Sequence, residues 1–330
     1  MASPEGASRP ASLSDTARRR IAAVRPENLI VYLGFLAVVV FFAVVLQDRG
    51  FLTPDNFANI ARQTAMVSIM AFGMTFVLSA GEIDLSIGSI VALSAMVVAI
   101  LLRETNLVIA VGGALAVGLA IGLVNGLLTT RLRIPSFLVT LGMLSIVVGL
   151  ARITTNLEPV PVVDDTYAFL FGSGSIGPVP ILLVWTGGFL VVFHVLLRHT
   201  PFGRQVLATG GNRIAAGYSG IDTGRIKVAV LMMSAGTAAV AGMLYAGRLQ
   251  GARYTLGETD LLTVIAATVI GGTSMFGGKG SIVGALIGSL LIGVLNNGLL
   301  LMGLSVSEQL VARGVIIIAA VALSLRESPA

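Results

Sequence analysis

Apolar residues along this chain come in long blocks joined by short polar links. The first block runs from Leu29 to Leu46, 18 apolar or small residues without a charge. Nine more follow, at roughly 61–80, 86–102, 107–128, 134–151, 180–197, 227–247, 261–276, 281–302 and 307–325. A helix needs about 20 such residues to cross a bilayer, so the pattern predicts ten spans. The blocks at 86–102 and 261–276 are interrupted by Gly-rich turns. Backbone at such a break must be covered by protein or water, so these two are the candidates for broken or re-entrant segments. The expected fold is an all-α, polytopic transmembrane helical bundle of about ten spans with Gly-rich broken or re-entrant segments.

Residues 1–28 are polar and carry five arginines; they read as a disordered basic cytoplasmic tail. The Leu29–Leu46 block is longer than the core of a signal peptide and lacks a small-residue cleavage site after it, so it reads as a retained helix. Residues 29–326 then form one transmembrane domain, with a cytoplasmic loop at 198–227 and a short tail at 327–330. Composition agrees: 55% of residues are hydrophobic and 11% charged, against about 25% charged in an average soluble protein. That excludes a cytosolic enzyme, a nucleic-acid-binding domain and a disordered scaffold. The net charge of +5 does not alter this, because the basic residues are scattered and aromatic residues do not interleave with them. No cysteine occurs, which removes disulfides, thiolate metal sites and cysteine nucleophiles.

Basic residues gather on the cytoplasmic side of membrane proteins. With the N-terminus inside and ten spans, 14 of the 21 basic residues face the cytoplasm and six face outward, with Arg313 inside the last span. Both termini are therefore expected in the cytoplasm. Three helices carry small residues at steps of four: Ala114, Gly118, Gly122 and Gly126; Ser234, Ala238, Gly242 and Ala246; Ala285, Ser289 and Gly293. Such stripes let helices approach closely, and the same grooves could line a path or a dimer contact. Two strings recur, GSIV at Gly88 and Gly280 and NGLL at Asn125 and Asn297, each near a helix end or a break.

Catalytic patterns are missing. Around Lys279 a phosphate-binding loop would need Gly where Thr273 stands and Ser or Thr where Gly280 stands. His194 and His199 are too few for a metal site and read as interfacial anchors at a helix end. No nucleophile–base pair is visible, so no enzyme, no metal site and no cofactor are expected in this chain.

Three stretches remain. Ser79–Val91, SAGEIDLSIGSIV, places Glu82, Asp84 and Ser86 in a Gly-bracketed turn. Acids are expensive inside a membrane; Asp84 can cap the next helix, and the turn can shape or gate a cavity. Arg198–Lys227 is the longest loop between inner spans. Gly210–Gly211 break it, and Asn212 reads as the N-cap of a short helix, Arg213–Tyr218, ended by Gly220. Ala215 and Ala216 would give that helix a close-contact surface. Thr268–Gly284 holds six glycines, too many for a continuous helix; it reads as a tight inner turn carrying Lys279, or as a break open to solute. Gln63, Asn125, Asn296 and Asn297 lie at helix ends or breaks, as packing amides or as polar contacts on a path.

These stretches make the chain resemble the membrane permease subunits of ribose-type ATP-binding-cassette importers. GEIDLSIGSIVALSA is similar to that family's acidic turn, TPFGRQVLATGGNRIAAGYSGI to its ATPase-docking loop, and AATVIGGTSMFGGKGSIVGALIGSLLIGVLNNGL to its Gly-rich C-terminal signature. Glu82 departs from the pattern, which usually has Gly there. The resemblance covers residues 30–326. It implies a monosaccharide permease working by alternating access, a second permease subunit as homo- or heterodimer partner, an extracytoplasmic sugar-binding protein, and a separate two-cassette ATPase that holds the ATP and Mg. Gly211, Asn212, Arg213, Ala215, Ala216 and Tyr218 would couple to that ATPase. The alternatives within this architecture are nucleosides and branched-chain amino acids. An ion-coupled secondary transporter is a rival disfavoured by the few ionisable residues in the spans.

Overall fold

The computed structural model describes residues 26–305, 307–312 and 314–315. The expected tail at 1–28 falls outside it except for its last three residues. Arg313, the C-terminal tail and the larger part of the 307–325 block also lie outside the described residues.

Eleven helices carry the architecture: α1 Pro26–Val45, α2 Pro54–Ser79, α3 Ile87–Glu104, α4 Leu107–Arg131, α5 Ser136–Thr155, α6 Ile181–His199, α7 Pro201–Gly211, α8 Arg213–Tyr218, α9 Thr223–Leu249, α10 Asp260–Ile270 and α11 Ile282–Leu301. Six of them start at side chains that satisfy free N–H groups. Thr53 caps α2 ahead of Pro54, Asn106 caps α4, Thr200 caps α7 ahead of Pro201, Asn212 caps α8, Asp222 caps α9 and Ser281 caps α11. The repeated GSIV string marks the start of a helix both times, at α3 and at α11. The chain is not purely helical. Four two-residue strands, β1 Val160–Pro161, β2 Ser175–Ile176, β3 Val179–Pro180 and β4 Gly251–Ala252, pair as β1–β4 and β2–β3 in the links between helices.

Among the described residues, seven helices (α2, α3, α4, α5, α6, α9 and α11) are long and apolar enough to cross a membrane. This is a polytopic helical bundle. The expected span 261–276 is shorter than its apolar letters suggest. α10 stops at Ile270, and Gly271–Gly272 turns the chain, with Gly272 at φ +86°. Eleven residues at 1.5 Å each reach about 16 Å, half of a bilayer core of about 30 Å. The segment 86–102, by contrast, is a continuous 18-residue helix.

α2 and α9 form the buried centre. The small-residue stripes are consumed in packing within this one chain. A Cβ on Gly118 would meet Ala239 at 2.6 Å, on Gly122 the Met232 backbone at 2.7 Å and on Gly126 the Val228 backbone at 2.7 Å, so α4 lies directly on α9. Gly242 in turn faces the Val91 carbonyl of α3, and Gly73 of α2 faces Ser234 and Thr237 of α9. α11 joins α2 through Gly293 against Thr64 and through the Ser68–Ser289 hydroxyl pair at 2.6 Å. α1 covers α11 with Phe42 over Gly298. The outward faces of α1 and α5 stay apolar, with Leu36, Phe41 and Val44 on one and Phe137, Leu141 and Ile153 on the other, as lipid requires. At the end of the bundle away from α8, Asp164–Ser173 folds over α9, and Tyr167 donates to Met243 O at 2.7 Å.

Candidate functional site

The three sequence stretches meet at one end of the bundle. Gly210, at the close of α7, is wedged against the end of α2 and the Gly-rich turn: a Cβ there would stand 1.9 Å from Ser79 O and 2.8 Å from Gly278 N. Gly277 lies against Gly210 O, at φ +89°, a conformation only glycine adopts cheaply. Gly278 N donates to Ser79 O at 3.0 Å, and Ser79 Oγ donates to Lys279 O at 3.3 Å. Arg198 reaches Gly280 O at 3.4 Å. Three backbones thus touch without side chains between them, immediately before the cap of α8.

α8 projects from this junction. Asn212 Oδ1 accepts from Ala215 N at 3.0 Å. Ala216 is buried against the rest of the chain, while Ala215 is exposed. The two alanines therefore do not form one outward surface, as spacing alone suggested; a six-residue helix has too few turns to show a face in its sequence. Its exposed apolar side chains are Ile214, 73% exposed, and Tyr218, 90% exposed, one turn apart. Phe276, in the neighbouring Gly-rich turn, is 81% exposed. Ile214 and Phe276 were not singled out from the sequence; an apolar residue four before Tyr218 was the available signal. Gly211, Asn212 and Arg213 are exposed at the base of α8.

The acidic stretch Ala80–Ser86 is an unwound strap between α2 and α3. Gly81, at φ +75°, starts it beside Gly210. Glu82 is buried and forms an ion pair with buried Lys227 in the second turn of α9. Sequence reasoning counted Lys227 as a loop charge, and nothing in the sequence links positions so far apart. Ile83 N donates to Ser136 Oγ at 3.1 Å and Leu85 N to Thr140 Oγ1 at 3.0 Å, which hangs the strap on α5. Asp84 is fully buried; its Oδ1 accepts from Ser86 N at 2.9 Å and Ser86 Oγ at 2.6 Å. Asn125 of α4 donates to the same Ser86 hydroxyl at 3.0 Å. Ser234 of α9 faces the carboxyl as well, yet neither its Oγ nor Asp84 Oδ2 makes a hydrogen bond, and Asn125 Oδ1 makes none either. Asp84 thus does not cap α3, which starts after Ser86 without a side-chain cap; it folds the strap into a turn on Ser86, and the cluster leaves unmatched polar atoms inside the bundle. α3 begins where this strap ends, and its Gly88 sits against Gly257 O in the link that leads to α10. Two helix breaks therefore abut inside the bundle, an arrangement that lets backbone line a transport route.

The other polar candidates lie apart from this cluster. Asn297 exchanges amide hydrogen bonds with Asn56, at 2.8 and 3.0 Å, and pins α11 to the start of α2. Gln63 is exposed and Asn296 half-buried. Near Gln63, a cleft of about 270 Å³ between α2, α6 and α11 is edged by Thr64, Ser68 and Thr186. Thr64 and Thr186 donate to carbonyls of their own helices.

The bundle thus joins abutting chain breaks, a strap tied to three helices and a projecting helix at one end. Residues 56–321 match the family described as "branched-chain amino acid transport system / permease component". The chain belongs to this permease family. Among its relatives, the ribose import permease protein RbsC of Bacillus subtilis (strain 168) is 40% identical over 304 residues, covering 92% of this chain and 94% of the relative. RbsC of Escherichia coli (strain K12) is 41% identical over 297 residues, 87% and 91% of the two chains. The D-allose transport system permease protein AlsC of Escherichia coli (strain K12) is 36% identical over 292 residues, 87% and 89%. No solved structure matches the permease.

Proposed function

We propose that this permease is the membrane-spanning subunit of a monosaccharide importer, moving a ribose-like sugar by alternating access and powered by a separate ATPase subunit. Support comes from the relatives that transport ribose, L-arabinose and D-allose by name. The observation that carries the mechanism is the seating of α8: exposed Ile214 and Tyr218 on a short helix whose root touches both α2 and the Gly-rich turn through Gly210. In this reading Gly211–Tyr218 dock on the ATPase, which holds the ATP and its Mg²⁺, and the Glu82–Asp84–Ser86 strap shapes or gates the path. A second permease subunit and an extracytoplasmic sugar-binding protein complete the importer, in the inner membrane, with about ten spans and both termini cytoplasmic. Alternating access moves solute uphill only if the two cavity states differ in affinity for it.

Reconstituted permease, ATPase and binding protein should take up one of a panel of pentoses and hexoses only when ATP is supplied. Uptake of leucine in place of every sugar would select the branched-chain amino acid reading, and uptake without the ATPase would select an ion-coupled carrier. Orientation has a clean test, because the native chain holds no cysteine. Tyr218→Cys should react with an impermeant maleimide only from the cytoplasmic face, and Val163→Cys only from outside. Reversed labelling would remove α8 from the ATPase.

A further inference from the structure

Glu82 and Lys227 form a buried ion pair, whereas Asp222–Arg225 is exposed. Lys227 lies on α9, joined to α8 by a link of only four residues, Ser219–Asp222. That link is stiff: Ser219 and Ile221 donate their backbone N–H groups back to Ala215 and Ala216, and Asp222 caps α9. The foot of α9 therefore cannot stay still if α8 is pushed. Glu82 is the second residue of the strap's Gly81–Ser86 run, which also holds Asp84 and Ser86 and leads into α3, whose Gly88 meets Gly257 O.

We propose that the Glu82–Lys227 pair is the strut that transmits displacement of the docking helix into the strap, so that both are positioning residues for transport rather than contacts for solute. This rests on the reading of α8 as the docking helix. The physical reason is that a buried pair is a poor stabiliser, since desolvating both charges offsets most of their attraction, whereas it holds two elements in a single register. Gly210 itself transmits a push only, because it meets Ser79 and Gly278 in bare contact, with no hydrogen bond to either. The ion pair also transmits a pull. Strap and α9 then move together in both directions of the cycle.

The test uses the reconstituted importer with three forms of the permease: Glu82→Gln with Lys227→Met together, the charge swap Glu82→Lys with Lys227→Glu, and the native chain. The double neutral form removes both charges at once, so it avoids a lone buried charge. It should still assemble with the ATPase, while sugar moved per ATP hydrolysed falls about tenfold, within the usual range of coupling between sites. The charge swap should recover a larger share of that ratio than the neutral form. A purely stabilising pair would lower the yield of complex and leave the ratio unchanged, and that result would overturn the proposal. Native permease that fails to bind the ATPase would instead overturn the docking reading and take the strut with it.

Discussion

Two regions of this molecule depend on glycine at the same kind of close approach, yet they are built for opposite ends. Along α4 and α9, Gly118, Gly122 and Gly126 admit backbone and small side chains of the facing helix. The seam is long, and its energy comes from dispersion over many contacts. At the junction below α8, Gly210, Gly277 and Gly278 also bring backbones together, but the contact is a few residues wide. Beyond it the chain is unwound and hangs on single hydrogen bonds and one ion pair. A long seam behaves as one rigid body; a point contact flanked by unwound chain is a hinge.

The largest effect should follow from disturbing the seam. Gly122→Val would place a Cβ 2.7 Å from the Met232 backbone and 2.8 Å from Leu231 O. Neither can step aside, because both belong to the central helix. Overpacking of this sort costs about 3 kcal/mol or more, and the variant should lose its monodisperse peak in detergent chromatography. A variant that melts within a few degrees of the native chain would show that the seam yields to an added side chain.

Next in size is a change at the projecting helix that leaves the fold alone. Tyr218→Glu alters a side chain that is almost wholly exposed, so melting should be unaffected. If Tyr218 is a docking anchor, its loss costs about 2 kcal/mol of association, or roughly thirtyfold in affinity for the ATPase. Ala216→Glu should do the reverse, harming the permease itself, because Ala216 faces inward. Equal effects of the two on melting would contradict the orientation of α8.

The same contrast explains what the sequence disclosed. Local features were legible: the apolar blocks, the small-residue stripes and Asn212 as the cap of the short helix α8. They depend on neighbours within a turn or two. Long-range pairings were not. Lys227 looked like one more positive loop charge until the fold set it beside Glu82, and Asn297 found Asn56 across 241 positions. α10 misled for another reason. Its Gly271–Gly272 stop was visible, but the residues after it include Met275 and Phe276, and apolar letters were read as span. Phe276 is instead exposed in a turn. Apolar character marks a membrane span only when the backbone can continue as a helix.

A smaller effect is expected at the Asn56–Asn297 pair. Asn297→Ala leaves Asn56 Oδ1 buried without its donor, while Asn56 Nδ2 keeps Phe51 O at 2.9 Å. One unsatisfied acceptor costs about 1–3 kcal/mol. If this amide only pairs helices, melting should fall and the affinity for sugar should not. A shift in sugar affinity at unchanged stability would return Asn297 to the transport path.

The smallest difference comes from one substitution made at two sites. Thr186 Oγ1 donates to Leu182 O of its own helix at 2.8 Å. Replacing it with Val leaves that carbonyl its backbone partner, so Thr186→Val should cost next to nothing. Thr140 Oγ1 accepts from Leu85 N of the strap at 3.0 Å, and the strap has no helical partner to offer instead. Thr140→Val keeps the shape and strands that N–H, at about 1 kcal/mol. Hydrogen exchange sharpens the comparison further: the Leu85 amide should exchange faster in Thr140→Val, with amides along the α4–α9 seam unchanged. Faster exchange in both places would mean that strap and seam open as a single unit, and the division between rigid body and hinge would have to be given up.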